Sequence, residues 1–363
     1  MTSFKLPLLQ EREAALETCA YCPKLCRAAC PVADVESSET LTPWGKMGIA
    51  WYQARGSLEL NSSYAATAWG CTTCYACREH CDHRNPVAET LLDARAEAFV
   101  RGLEPPRARD VAKAEPRRRA RREAGLAALA DHPAVDADAT SALLLGCAYS
   151  NQEPELCRAA LDVVLRVHGR VRLLSGCCGA VSRAAGDAET ARREEQGLVS
   201  AARGAERLIV LDPGCAGGGR DSGLRAAGAV TLIELVAQRL DLLGRLEDMP
   251  RPLRWHDPCQ LGRGLGVYEA PRAVLTRILG EAPAEFARSR EEAVCSGAGG
   301  LLPLTMPDAS ARIAAQRLAE HAEEGGGTVV TGCASSSRRF KKSGAEVLDI
   351  VALVARSLAT GDG

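Results

Sequence analysis

The sequence is poor in aromatic residues, at 4% of 363, and has almost no net charge, with 45 Lys and Arg against 46 Asp and Glu. It also lacks any long hydrophobic run. Apolar stretches such as Ala142 to Leu145 and Leu208 to Leu211 are far shorter than the roughly 20 residues that cross a bilayer. At the N-terminus Glu11, Arg12 and Glu13 interrupt the chain before the apolar segment of a secretory leader can form, so a cytoplasmic protein without a transmembrane segment is expected. The neutral balance, and the lack of aromatic residues interleaved with basic ones, argue against nucleic-acid binding. A hydrophobic fraction of 46% with 25% charged residues is that of a folded protein rather than a disordered one. At about 150 residues per domain, the length allows two or three domains.

What the sequence does have is cysteine: 16 residues, strongly clustered. In a reducing compartment, thiols spaced two or three residues apart are read as metal ligands rather than disulfides. Residues 19–31 read CAYCPKLCRAACP, and residues 71–82 read CTTCYACREHCD. The second has ferredoxin spacing, and the first differs by one inserted residue. In two-cluster ferredoxins the fourth cysteine of each run binds the other cluster. That rule would group Cys19, Cys22, Cys26 and Cys81 around one 4Fe-4S cluster, and Cys30, Cys71, Cys74 and Cys77 around the other. Helical segments at Trp44 to Ala54 and Ala88 to Val100 are expected to pack around them. The alternative, two structural zinc sites, usually pairs two short C-x2-4-C knuckles.

Residues 101–124 contain nine Arg or Lys, four acidic residues and three prolines, and read as a solvated helical linker. An acidic partner docked on it is the other reading. Beyond residue 140 short apolar runs alternate with amphipathic helical stretches, the pattern of a parallel α/β sheet. Strands are expected at Ala142 to Cys147, Val171 to Leu174, Leu208 to Leu211 and Val230 to Ile233. A second series follows at Leu253 to Trp255, Ala293 to Val294, Thr328 to Val330 and Val347 to Ile350. Cys147, Cys177 and Cys215 recur as Cys259, Cys295 and Cys333 at offsets of 112, 118 and 118 residues, which points to an internal duplication. Every cysteine after residue 140 except Cys157 is expected at the C-terminal end of a strand, along the sheet edge where α/β proteins bind ligands. Cys157, on the apolar face of a predicted helix, reads as core. None of the neighbouring glycines forms a dinucleotide or P-loop motif.

GCCG at 176–179, WHDPCQLGRG at 255–264, CSGAGG at 295–300 and GCASS at 332–336 resemble the paired CCG, or cysteine-rich, domains of the heterodisulfide reductase superfamily. With a dicluster ferredoxin in front, the layout is similar to the iron-sulfur subunit of glycolate oxidase and to one of the subunits of anaerobic glycerol-3-phosphate dehydrogenase. The resemblance implies an α+β multidomain protein. A helical dicluster ferredoxin domain would span residues 1–100 and a basic, proline-containing linker 101–138. Two duplicated α/β CCG domains with mainly parallel sheets would follow, the first over 139–248 and the second, degenerate, over 249–363. It further implies an electron-transfer subunit working between an FAD-dependent dehydrogenase, of the 2-hydroxy acid or glycerol-3-phosphate type, and a quinone or other acceptor. A quinone-reactive membrane partner would hold such a subunit peripherally at the inner face of the membrane. The alternatives are a heterodisulfide-reductase-like enzyme that reduces a disulfide or quinone itself, and a zinc-containing assembly protein.

The full motif of that superfamily supplies five cysteines to a non-cubane cluster. Here the first half offers Cys147, Cys177, Cys178 and Cys215, with Gly218 in the fifth place, which suffices for a further iron-sulfur cluster or zinc. The second half keeps Cys259, Cys295 and Cys333 but has Ser296 and Ser336 in the other two places. Three thiolates suit a 3Fe-4S cluster, a 4Fe-4S cluster with one iron open to Ser296, His256, water or substrate, or a vestigial site. His256 and Asp257 either fix a strand-end turn or support the site and its proton transfers.

Overall fold

The computed structural model describes residues 4–216 and 223–360; Gly217, Gly218 and Gly219 lie outside them. The chain forms two compact units. One joins Met1–Glu115 to Gly179–Arg192 and Val294–Arg317, and the other joins Pro116–Cys178, Arg193–Ala293 and Leu318–Gly363.

The first unit is helical. Its central helix, Pro43–Ala54, opens with proline in the first turn and with Thr42 as cap, the threonine hydroxyl accepting the Gly45 amide at 3.0 Å. It packs on Glu13–Ala20 and Val87–Val100 through a core that includes Leu9, Leu16, Met47, Trp51, Trp69 and Leu91. The later segment contributes Leu302, Ala309 and Ile313, which pack against Cys30, Val32 and Ala33. Arg95 fastens these pieces together. Fully buried, it donates to the carbonyls of Ala68, Cys71, Ala184 and Gly300, the last three at 2.6, 3.0 and 3.0 Å.

The second unit carries two four-stranded parallel sheets. In the first, β1 (Ser141–Leu144), β2 (Arg172–Leu173), β3 (Arg207–Val210) and β4 (Val230–Thr231) run in the order β2-β1-β3-β4. In the second, β5 (Leu253–Trp255), β6 (Ala284–Glu285), β7 (Thr328–Thr331) and β8 (Val347–Asp349) run β6-β5-β7-β8. Identical order and parallel pairing, with Leu143 opposite Ile209 and Arg254 opposite Val329, make the sheets structural repeats. Both contribute to one hydrophobic core, where helices Pro154–Val167 and Ile350–Thr360 meet. Cys157 lies in that core, 1% exposed. Across the repeats the Tyr149 hydroxyl donates to Asp349 Oδ2 at 2.8 Å, while Asp349 Oδ1 accepts the Val351 amide at 2.9 Å and so caps the last helix.

One strand differs from expectation. Ala293 and Val294 form no strand; the sheet takes Ala284–Glu285 instead. The Ala293 carbonyl is occupied by the buried Arg263 guanidinium at 2.6 Å, which also takes the Glu291 carbonyl at 3.0 Å. A side chain thus replaces the ladder. Residues 106–127 form two helices, Pro106–Lys113 and Glu115–Ala127. Arg122, from the basic run, turns inward and donates to the Ser175 carbonyl at 2.8 Å. Among the described residues no helix is long and apolar enough to cross a membrane.

Candidate metal centres

None of the 16 cysteines forms a disulfide. The eight N-terminal ones gather into two groups. Cys19, Cys22, Cys26 and Cys81 line a cavity of about 110 Å³, together with Lys24, Trp44, Asp82 and Asn85. Burial, followed by the neighbouring thiols Cys26, Cys81 and Cys22, pushes the Cys19 thiol up to about 12, against the pull of Asn85. Cys26 is pushed up to about 11 by burial, then by Cys81 and Cys22. Cys19 and Cys26, held protonated in this way, are drawn to the thiolate form by a bound cation, and that is the chemistry of a metal or iron-sulfur site. Asn85 Nδ2 already donates to Cys19 Sγ at 2.9 Å.

The second group is Cys30, Cys71, Cys74 and Cys77. Burial raises Cys77 well above its ordinary range, reinforced by Cys71, Cys74, Cys30 and then Cys26, so it stands at the wall between the groups. The loop from Cys71 to Cys77 bends through left-handed backbone at Thr73 and Tyr75, with φ of 55° and 62°. A β-branched residue rarely adopts that conformation. Here it turns the Thr73 amide onto Cys71 Sγ at 3.4 Å. Amides directed at sulfur are what an iron-sulfur cluster draws on. Lys46 is the sole charged residue of helix Pro43–Ala54. Its buried Nζ donates to the Gly70 carbonyl at 2.7 Å and to Cys30 Sγ at 3.5 Å. Burial opposes its charge, but Cys30, Cys71 and Cys77 outweigh that and raise its pKa. Both groups therefore fit 4Fe-4S clusters in number, burial and sulfur-directed donors.

The loop Cys295–Gly300 lies against this second group. Cys295 Sγ faces Thr72 Oγ1 at 3.6 Å. A Cβ on Gly300, whose φ is 59°, would stand 2.2 Å from the Cys71 carbonyl oxygen, and one on Gly299 would stand 2.3 Å from that of Thr72. Only glycine permits this approach. Ser296 is buried in the same unit.

In the second unit Cys147, Cys177, Cys178 and Cys215 come together beyond β1, β2 and β3. Cys178 and Cys215 sulfurs are 3.5 Å apart. Cys147 is raised well above its ordinary range by a hydrogen bond with Cys177, by burial and by the charges of Cys215, Cys177 and Asp212. Gly146 (φ 85°) makes room: a Cβ there would lie 2.7 Å from Asp212 Cβ and 3.1 Å from Cys215 Sγ. Asp212 Oδ1 accepts the Gly214 amide at 2.9 Å, fixing the turn that carries Cys215.

Cys259 and Cys333 follow β5 and β7 in this unit, whereas Cys295 belongs to the other unit and sits ten residues past β6. Burial, followed by the charge of Asp212, raises Cys333; hydrogen bonds from Ser336 and Ser335 at the start of helix Ala334–Lys342 pull the other way. Ser336 thus serves its neighbour's sulfur. His256 is buried edge-on to Phe340 and Phe286, with ring centroids 4.9 and 6.2 Å away. Asp257 is saturated: Arg272 grips both its oxygens at 2.8 Å, Trp255 Nε1 donates at 3.0 Å and the Arg290 amide at 2.9 Å. That arrangement holds the turn before Cys259.

Sequence reasoning passed over Lys46, Asn85, Arg95, Thr73 and Asp212. Lys46 alone carried a signal, as a single charge in an otherwise uncharged helix; Arg95 reads in the sequence like any surface arginine.

Comparison with known families and proteins agrees with this geometry. Residues 15–85 match the 4Fe-4S dicluster domain, and residues 141–218 and 253–337 match the cysteine-rich CCG domain. One of the subunits of dihydromethanophenazine:CoB-CoM heterodisulfide reductase from Methanosarcina barkeri is 37% identical over 114 residues, covering 30% of this chain and 28% of that protein. Its counterpart from Methanosarcina mazei is 26% identical over 240 residues, 59% of this chain and 58% of the relative. One of the subunits of fumarate reductase (CoM/CoB) from Methanothermobacter marburgensis is 27% identical over 293 residues, 76% and 57% of the two chains. The chain thus spans less than two thirds of each of these relatives. It is an iron-sulfur protein whose domains belong to the 4Fe-4S dicluster and cysteine-rich CCG families, related to these heterodisulfide reductase subunits and to other iron-sulfur oxidoreductase subunits.

Proposed function

We propose that this chain is an electron-transfer subunit that works between an FAD-dependent dehydrogenase, of the 2-hydroxy acid or glycerol-3-phosphate type, and a quinone or other acceptor. The observation that carries the reading is the sorting of eight cysteines into two sets of four, each with a donor already on sulfur. Cys19, Cys22, Cys26 and Cys81 would hold one 4Fe-4S cluster, and Cys30, Cys71, Cys74 and Cys77 the other. Such clusters supply one-electron transfer; the chain supplies ligands, burial and hydrogen bonds. Cys147, Cys177, Cys178 and Cys215 are the ligands proposed for a third centre, an iron-sulfur cluster or zinc.

A partner surface is available next to the first group. Tyr21 and Leu25, 79% and 58% exposed, flank Cys22 on a loop that also carries Lys24 and Arg27. Exposed apolar residues ringed by polar ones mark association sites, and a dehydrogenase docked there would stand over the cavity of Cys19. Any attachment to a membrane would run through such a partner.

Iron and acid-labile sulfide analysis of anaerobically prepared protein, with EPR of wild type and of Cys22→Ser, Cys74→Ser and Cys178→Ser variants, tests the assignment. Cys22→Ser and Cys74→Ser are each expected to lose or alter a different signal, and Cys178→Ser to lose a third signal where that centre is a cluster, or bound zinc where it is zinc. A colourless protein holding mainly zinc would overturn the proposal and favour the assembly role.

A further inference from the structure

The two N-terminal cysteine groups are unequal in their fixed charges. Lys46 Nζ lies 3.5 Å from Cys30 Sγ, anchored by the Gly70 carbonyl, and is shut off from solvent. Arg95, equally buried, brings its guanidinium to the Cys71 carbonyl at 2.6 Å. Two buried cations therefore face the Cys30, Cys71, Cys74 and Cys77 group, where salt and water screen them little. Around the Cys19 group the sulfur donor is the neutral Asn85 amide. The lysine that lines the cavity there, Lys24, is partly exposed, and its Nζ lies 4.0 Å over the Trp44 ring. Asp82, on the same cavity wall, opposes it.

Accepting one electron adds one negative charge to a centre, and a buried cation against its ligand stabilises the reduced state over the oxidised one. We infer that Lys46, supported by Arg95, makes the centre held by Cys30, Cys71, Cys74 and Cys77 the more readily reduced of the two. This rests on the proposed reading that the eight cysteines hold two clusters, and it adds an order of reduction within the pair. Lys46 is a positioning residue: it acts through Cys30 and touches no substrate. Its charge, in a helix otherwise without any, has no ion-pairing carboxylate among the contacts it makes at Cys30 and Gly70.

The test is an anaerobic redox titration of the full chain followed by EPR. Cys30→Ser first identifies which of the two signals belongs to the second group. In the wild type that signal is expected to appear first on reduction, favoured at least tenfold, which is about 59 mV for a one-electron couple. Lys46→Met should lower its midpoint by at least as much and leave the other unmoved, whereas Lys46→Arg, which keeps the charge, should preserve the order. If Lys46→Met does not hold both clusters, the wild-type order and Lys46→Arg decide. The inference is overturned if the Cys30-linked signal appears second, or if Lys46→Met moves both midpoints equally or neither. A protein without two iron-sulfur signals would instead remove the underlying proposal.

Discussion

At the scale of single residues, buried charge explains more than motif spacing does. Arg95 shows this: four carbonyls rely on one guanidinium. Burial lowers its pKa only to about 10, so it remains charged at neutral pH. Arg95→Met should cost about 3 kcal/mol or more in denaturant unfolding, because it leaves buried acceptors unpaired. Asp349 gives a pH prediction. Burial raises its pKa to about 6 against the hydrogen bonds from Val351 and Tyr149. The folded state therefore binds this proton more tightly than the unfolded chain, for which the value is about 3.9. Its contribution is most favourable at low pH and is lost as pH rises through about 6. Between pH 5 and pH 7 the wild type should lose roughly 1 kcal/mol relative to Asp349→Asn, whose amide keeps an acceptor for Tyr149. Thermal melts at the two pH values check it, and parallel pH profiles for both proteins would refute it.

At the scale of elements, loops rather than helices and strands set the sites. The Cys71 to Cys77 loop holds left-handed Thr73 and Tyr75 and is backed by Gly299 and Gly300. Gly300→Ala drives a methyl into the Cys71 carbonyl and strains a backbone that favours glycine. The expected result is selective loss of the EPR signal assigned to Cys30, Cys71, Cys74 and Cys77, with the Cys19 signal retained. By contrast, Cys157→Ala should leave iron content unchanged, since that side chain touches only core. The turn before Cys259 depends on Asp257, and Asp257→Asn should destabilise the protein by about 3 kcal/mol through the weakened pair with Arg272. If instead stability held and only activity fell, a proton-transfer role for this residue would be favoured.

At the scale of the whole molecule, the repeat was legible because cysteines at matched offsets survive sequence drift, and apolar alternation marks buried parallel strands. Seven of the eight strands stand where the pattern put them; the exception failed because Arg263, distant in sequence, claims the carbonyl of Ala293. The grouping of the eight N-terminal cysteines into two candidate ligand sets was readable from spacing. Lys46 and Arg95 were not, since their meaning lies in which carbonyls and sulfurs surround them. The linear order of motifs also concealed that residues 179–192 and 294–317 belong to the helical unit. That unit, built from short helices around cysteine groups, should depend on its clusters, whereas the paired sheets have a core of their own. Chelation of iron should therefore split one calorimetric transition into two, the earlier one sensitive to reconstitution.

The position of Arg95 also bears on how the protein is made. Its partner at Gly300 lies 205 residues further along the chain. At the usual pace of synthesis of about 5–20 residues per second, that is roughly 10 to 40 s. The eight N-terminal cysteines leave the ribosome well before the loop that closes over them. During that interval the nascent thiols stand without the loop that later covers them, so the contact between Arg95 and Gly300 is made only after most of the chain has been synthesised.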